Sequence, residues 1–376
     1  MKELPIGLQN FKEIIESGYL YVDKTRQIYD LIDKGKLYFL SRPRRFGKSL
    51  LLSTLRYIFD GEKDLFKGLY IAEQTDYTWK KHPVLEFNFA SYGYQCDPDK
   101  LKLAISYSLQ EYGRKFGIEL PDKHIKVQLD TLVEQLSAKY NRVVILIDEY
   151  DKPIIDFIME PEKAKANSDV LAAFFAFIKS LEAQGYLHFL LVTGVSKFGK
   201  MSLFSDLNNL RDLTLSPNKL ELTGITQAEL LTYFGSHILS IAEDFDTTTE
   251  ELLEHIQSWY GGYSWNGETK LYNPSSIMSF LNHKHFGSFG FATNTPTFLV
   301  KATRNKHINP DDFEQIRVHS TFFNEFSIAE PDMAGLLFQA GYLTISKIKY
   351  KRMRPDYFLS YPNKEMYIAF TNNLLE

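Results

Sequence analysis

Apolar residues in the first half of the chain gather in short, nearly unbroken runs, and between these runs they recur at helical spacing. The runs are Leu37-Tyr38-Phe39-Leu40, residues 84–89, Val143-Val144-Ile145-Leu146-Ile147 and His188-Phe189-Leu190-Leu191-Val192. The third and fourth are continuous enough for central strands buried on both faces. Helical spacing covers 49–59, 101–116, 127–140 and 170–184, and a short further strand is expected at 213–215. Alternation of this kind predicts a parallel α/β sheet. No repeat of 20–50 residues is visible, which excludes a solenoid.

Beyond about residue 220 the pattern turns helical. Thr226-Gln227-Ala228-Glu229 reads as a capping box, residues 247–249 precede a second helix, and Asn273-Pro274-Ser275 opens a third. Residues 334–339 read as a helix, followed by a break at Gly341 and two strands flanking 351–356.

Composition narrows the class. The 376 residues are 44% hydrophobic and 24% charged, which excludes a disordered chain and leaves ample material for a core. One cysteine excludes a disulfide framework and any multi-cysteine zinc site. No apolar run approaches the roughly 18 residues of a membrane span, and no signal-peptide pattern opens the chain, so a cytoplasmic protein is expected. A net charge of −4 means that any nucleic-acid contact must come from a local basic patch.

The first strand runs into Ser41-Arg42-Pro43-Arg44-Arg45-Phe46-Gly47-Lys48-Ser49 and then an apolar helix. Strand, loop, Gly-Lys-Ser and helix is the context of a Walker A loop. Arg44, Arg45, Phe46, Gly47, Lys48, Ser49 and Leu50 would then surround a nucleotide. Lys48 would reach the β- and γ-phosphates, and Ser49 would hold Mg²⁺. The first glycine of the motif is replaced by Arg42, and Pro43 removes one N–H from the cradle. A basic loop capping an ordinary helix is the plainer reading. The strand 143–147 ends in Asp148-Glu149, a Walker B pattern in which Asp148 holds Mg²⁺ and Glu149 polarises a water. Acids that simply end a strand and cap the next helix are the alternative.

Thr193, at the end of the fourth run, is the first choice for a γ-phosphate sensor and Ser196 the second; closing the strand is the other role open to Thr193. Arg211 is either a cis arginine finger or half of a surface ion pair with Asp212. Arg44 and Arg45 are the other sources of positive charge.

Taken together, these blocks resemble the bacterial AAA-ATPase-like family, whose members often carry a C-terminal PD-(D/E)XK nuclease-like domain. Tyr21-Val22-Asp23-Lys24-Thr25, the loop 41–49, Asp148-Glu149-Tyr150-Asp151-Lys152-Pro153, Thr193-Gly194-Val195-Ser196, residues 204–210, Trp259-Tyr260-Gly261-Gly262-Tyr263 and Gly341-Tyr342-Leu343-Thr344 carry the likeness. The resemblance implies an α/β fold: a P-loop NTPase three-layer sandwich with a parallel sheet, followed by a helical unit and a winged-helix-like unit. The expected division is 1–220 for the AAA-like core, 221–290 for a helical lid-like unit and 291–376 for the winged-helix-like unit. The nuclease-like domain is not expected in this chain, and no nuclease activity is expected of it.

In ATPases of this kind the segment before the first strand lies near the base, so Phe11, Tyr21 or Asp23 would line an adenine pocket. Thr25 as the N-cap of a following helix explains the same segment without a ligand. The absence of an Asn-Lys-x-Asp motif favours ATP over GTP.

Residues 347–354 alternate basic and apolar side chains, placing Lys347, Lys349 and Lys351 on one face of a hairpin. Such a wing would neutralise nucleic-acid phosphates. A solvated edge strand guarded by lysines is the competing explanation. Three functions stand open: ATP hydrolysis with Mg²⁺ driving a conformational switch, ATP binding without turnover, and a nucleic-acid-binding module gated by the ATPase fold.

Overall fold

The computed structural model describes residues 1–93, 95–121, 124–197, 204, 207, 209–289, 309–323 and 332–375. Five strands form the central sheet: β1 Leu37–Ser41, β2 Val84–Asn88, β3 Val143–Asp148, β4 Leu187–Gly194 and β5 Arg211–Asp212. All are parallel, in the order β2-β3-β4-β1-β5. β1 and β3 are buried at every position. On one face, Leu37, Phe87, Ile145 and Leu190 pack under the helices Pro98–Phe116, Ile125–Lys139 and Pro161–Ala183. On the other, Leu40, Val144, Leu146 and Leu191 pack under the helix Lys48–Phe59 and the N-terminal helices. The result is the three-layer α/β arrangement of a P-loop NTPase. With β4 inserted between β1 and β3, the carboxyl ends of all three meet at one edge, where ligands of open α/β sheets bind.

Two expectations shift. The helix expected from residue 170 begins at Pro161, because its first turns are polar and alanine-rich and carry no apolar period. The strand expected at 213–215 is instead the two-residue β5. Leu213 is buried, so its apolar signal marked a core contact rather than the ladder.

Three helices, Gln227–Asp244, Thr249–Tyr260 and Pro274–His283, form a second cluster around Leu230, Phe234, Ile256 and Phe280. Capping boxes at Thr226/Glu229 and Thr248/Glu251, and the Asn273 side chain, fix their starts. The C-terminal strands β6 Ile316–His319, β7 Thr344–Lys351 and β8 Arg354–Ser360 pair antiparallel in the order β6-β8-β7. Trp265, Phe323, Leu337 and Phe370 place this unit in the same apolar cluster as the first sheet face. Ser264, between the second and third of these helices, joins the helical unit to it by donating N–H to Thr344 Oγ1 at 2.6 Å. Residues 291–308, 324–331 and 376 of the expected third unit lie outside the described residues.

At the opposite edge of the sheet His82 and His188 stack with ring centroids 3.8 Å apart. His82 Nδ1 donates to the Arg142 carbonyl at 2.8 Å. Burial, then the proximity of His82 and Arg142, pushes His188 down to about 4. The folded protein therefore holds this ring neutral, whereas the unfolded chain protonates it near pH 6.5. The stability this contributes is complete above pH 6.5 and is lost as pH falls towards 4. Urea unfolding across that window should show a falling free energy in the wild type and a shallower fall in His188→Gln.

Candidate functional site

The loop after β1 adopts left-handed backbone at Arg45 (φ 59°) and Gly47 (φ 91°) before entering the helix Lys48–Phe59. Gly47 is the N-cap and no side chain caps the helix, so its first-turn amides remain open to an external acceptor. Lys48 is 5% exposed, and its Nζ donates to the carbonyls of Arg42 (3.0 Å) and Pro43 (2.9 Å). Burial pushes the Lys48 pKa down, against the pull of Asp148, Glu149 and Asp151.

Asp148 connects three segments. Its Oδ2 accepts from Ser49 Oγ at 2.6 Å, while Oδ1 accepts from Thr193 Oγ1 at 2.6 Å and from the Glu149 N–H at 3.0 Å. Glu149 has φ 48°, a left-handed conformation that a non-glycine residue holds only under constraint. Asp151 lies behind it, its Oδ2 accepting from the amides of Val195 (3.0 Å) and Ser196 (2.5 Å). Burial nonetheless pushes Asp151 up to about 6. Ser196 is thus used by Asp151, and by Tyr150, whose hydroxyl donates to its carbonyl at 2.9 Å.

A groove of about 240 Å³ opens beside Ser49 and Asp148, lined also by Asn10, Ser53, Glu86 and Asn88. The hydroxyl of Ser49 and the Asp148 carboxylate are hard oxygen donors that suit Mg²⁺, which takes few protein ligands and completes its shell with water and phosphate oxygens. Among the described residues no cluster of three or more His, Cys, Asp or Glu side chains forms a metal cage. The donor set therefore fits a Mg²⁺–nucleotide better than a resident structural ion.

On the other flank of the loop lies an apolar pocket of about 70 Å³, lined by Tyr21, Val22, Gly47, Leu50, Pro274 and Met278. Of the three residues proposed for the base, Tyr21 alone lines it. Phe11 is a core residue stacked on Phe66 at 4.6 Å. Asp23 is a correction too: its carboxylate accepts from the amides of Thr25 and Tyr70, both at 2.8 Å, and so ties backbone together. Thr25 is not the N-cap either, since Lys24 holds that position and Thr25 Oγ1 accepts from the Ile71 amide.

Arg211 also falls elsewhere. It pairs with Tyr38, three residues or about 10 Å of strand before Ser41, and its Nη1 donates to the Lys34 carbonyl at 2.9 Å. It cannot act as a cis finger from there, and Asp212 pairs with Lys197 rather than with it. Arg44, half-buried, and Arg45, exposed, remain at the loop. Phe46 turns its ring away from the loop's open side, packing edge-on to Tyr263 and Trp265 at 5.2 and 5.3 Å. Ser205, Asp206 and Asn208 lie outside the described residues.

Sequence reasoning missed Asn88, which ends β2 level with Asp148, and the pocket walls Pro274 and Met278. An amide ending a strand was the only signal for the first. Nothing in the spacing brings residue 274 over residue 47.

A family model described as Predicted AAA-ATPase (AAA-ATPase-like) matches residues 5–204. The chain belongs to this family. A relative from Azotobacter chroococcum mcd 1, described as an uncharacterized protein in the vnfD 5′ region, is 37% identical over 376 residues. That match covers 100% of this chain and 70% of the relative. A solved structure, the Aeropyrum pernix ORC1 protein in complex with DNA, aligns with 96% of this chain and 95% of its own at 10% identity and a TM-score of 0.33. Within this AAA-ATPase-like chain, the matched region holds the loop, Asp148 and Thr193, and the pocket residues Pro274 and Met278 lie beyond it. Among the described residues no helix is long and apolar enough to cross a membrane.

Lys24 joins the pocket to the helix Gln227–Asp244 through Glu229, Nζ to the two carboxylate oxygens at 2.6 and 2.7 Å. Removing one partner of such a buried pair leaves the other charge uncompensated and costs about 3–5 kcal/mol. Lys24→Met should therefore destabilise the protein by about that much in urea unfolding. Adding Glu229→Gln, which preserves the capping box, should recover a large part of the loss.

Proposed function

We propose that this protein binds ATP with Mg²⁺ and hydrolyses it, and that occupancy of the site drives a conformational switch. The observation that carries the reading is the shared Asp148 carboxylate, which brings the helix after the phosphate loop and the ends of β3 and β4 to one point. The open first-turn amides of the helix Lys48–Phe59 would bind the phosphates, with Lys48 exchanging two backbone carbonyls for phosphate oxygens. Ser49 and Asp148 would hold Mg²⁺, which when bound neutralises charge on the phosphate oxygens. Glu149 would orient and polarise the attacking water, held in place by its constrained backbone. Thr193 acts through Asp148 as a positioning residue, and Arg44 or Arg45 contributes charge at the phosphates. Tyr21 and Leu50 would hold the base, in the apolar pocket that favours adenine over a solvated alternative. A cytoplasmic setting, where ATP and Mg²⁺ abound, is part of this reading.

Calorimetric titration with Mg-ATP and a phosphate-release assay test it. Lys48→Ala should weaken binding at least about 100-fold, in line with loss of a charged phosphate contact of roughly 3 kcal/mol. Glu149→Gln should bind as the wild type does and release phosphate at least about 10-fold more slowly. Binding without release by the wild type would favour the non-hydrolysing module; no binding by folded wild type would remove both readings.

A second reading rests on the hairpin. Lys347, Lys349, Lys351, Arg352 and Arg354 are all exposed, and none makes an ion pair with a described residue. The tip turns through left-handed Arg352 (φ 48°) and Met353 (φ 64°), and Met353 is 95% exposed. The strand order and the preceding helix Met333–Ala340 suit a winged-helix-like unit whose wing meets nucleic acid. Alternate strand residues stand about 7 Å apart, twice the axial rise between phosphates of one DNA strand. Duplex DNA binding followed by anisotropy should fall steeply with salt. Changing Lys347, Lys349 and Lys351 together to Glu should flatten the log–log slope by about 3. Absence of wild-type binding at low salt would eliminate the wing reading.

A further inference from the structure

Arg42 occupies the position of the missing P-loop glycine and is 1% exposed. Its Nη1 donates to the carbonyls of Ser41 (2.8 Å) and Thr214 (2.9 Å), and its guanidinium lies over the Trp265 ring at 4.1 Å. The other edge, Nε and Nη2, has no hydrogen-bond partner among the described residues. The acid that favours its charge, Asp212, is paired with Lys197. Burial pushes the guanidinium down to about 9, which still leaves it charged at neutral pH. A buried cation with an idle donor edge is a costly arrangement unless an acceptor meets it.

Gln339, on the helix Met333–Ala340, has a buried Oε1 without a partner among the described residues, although its Nε2 donates to the Lys197 carbonyl at 3.4 Å. Arg42 and Gln339 border one cavity of about 30 Å³, walled by Trp265, Phe323 and Phe338 and bordered also by the Lys197–Asp212 ion pair. It shares no lining residue with the groove beside Asp148 or with the apolar pocket. Nε and Nη2 project their N–H bonds in parallel from one edge of the guanidinium, the fork that takes two oxygens of a planar or tetrahedral oxyanion side-on. An acceptor amide oxygen on the lining of the same cavity suits an anion that still carries an O–H.

We propose that this cavity is a binding site for a small hydroxyl-bearing oxyanion of the hydrogencarbonate or hydrogenphosphate class. Arg42 Nε and Nη2 hold two of its oxygens, and its O–H donates to Gln339 Oε1. The anion neutralises the buried guanidinium and fastens the start of the phosphate loop to the C-terminal unit. Because both donors are sealed from water, entry requires the aromatic wall to give way.

Thermal unfolding at constant ionic strength, with hydrogencarbonate, hydrogenphosphate or formate replacing chloride, tests the site in the full chain. The wild type should gain several degrees in Tm at about a hundred-fold excess over Kd, with formate, which lacks the O–H, the weaker ligand. Lys48→Ala should respond equally, which separates this site from phosphate bound at the P-loop. Arg42→Met should lose the response and, in chloride, unfold no lower than the wild type, since the unpaired buried charge is gone. A change in tryptophan fluorescence on titration should vanish in Trp265→Phe. Should Arg42→Met fail to fold, Gln339→Leu provides the second variant, with affinity for hydrogencarbonate reduced at least 10-fold. An equal gain in Arg42→Met, an unchanged response in Gln339→Leu, or no gain with either hydroxyl-bearing anion in both wild type and Lys48→Ala overturns the proposal.

Discussion

A single carboxylate holds the site together. Asp148 accepts from Ser49 on one oxygen and from Thr193 and the Glu149 amide on the other, joining segments 99 and 45 residues away in sequence. Hydrogen bonds to a charged acceptor are the stronger kind, and three of them fix the carboxylate's orientation as well as its position. The sheet order makes this possible: only with β4 between β1 and β3 does Thr193 stand beside Asp148 while Ser49 approaches from the other side. The left-handed Glu149 then follows, because its amide is already committed to the preceding side chain. Strain at that residue is sustained by contacts on both sides of it, since Lys152 N–H donates to its carbonyl at 3.0 Å.

The second constraint is the arginine in place of the first loop glycine. A side chain at that position is compatible with an open phosphate cradle only if it leaves the loop on the side away from the helix N-terminus. Arg42 does so, passing under Trp265 towards Thr214. Phe46 leaves on the same aromatic side, against Tyr263 and Trp265, and Gly224 lies so close to its ring that a Cβ there would stand 2.6 Å from Phe46 Cε1. The loop is therefore shaped from outside by residues 224–265, in compensation for the glycine it lacks.

The α/β core was legible because its signals are local. Five consecutive β-branched or leucine residues before Asp148 admit little but a buried strand, and Gly-Lys-Ser after a strand admits few loops. Helix starts were legible at Thr226, Thr248 and Asn273, where a capping side chain precedes an apolar period, but the Asn10 cap of Phe11–Glu16 gave no such signal. What failed depended on distance in the fold. Arg211 carries the right chemistry, but the two-residue β5 places it at the wrong end of β1. Asp23 precedes a helix in the right segment, yet the Tyr70 amide, 47 residues on, takes its carboxylate. The idle edge of Arg42 had no sequence signal at all, because an arginine in a basic loop reads as exposed until Trp265 and Thr214 are placed around it.

These packing relations bear on how a nucleotide-driven switch would travel. Phosphates that drew Lys48 away from the Arg42 and Pro43 carbonyls would act on the two loop residues that border the C-terminal unit. That unit belongs to the apolar cluster of the sheet's first face, so a shift of the loop meets closely packed side chains, which transmit displacement rather than absorb it. The helical unit is joined differently. Its core is a separate cluster that takes in Leu20 of the N-terminal segment, and the Lys24–Glu229 ion pair adds a charged contact beside that packing. A switch of this kind would therefore reach the C-terminal unit directly through the loop, and the helical unit through the N-terminal segment that Leu20 and Lys24 tie to it.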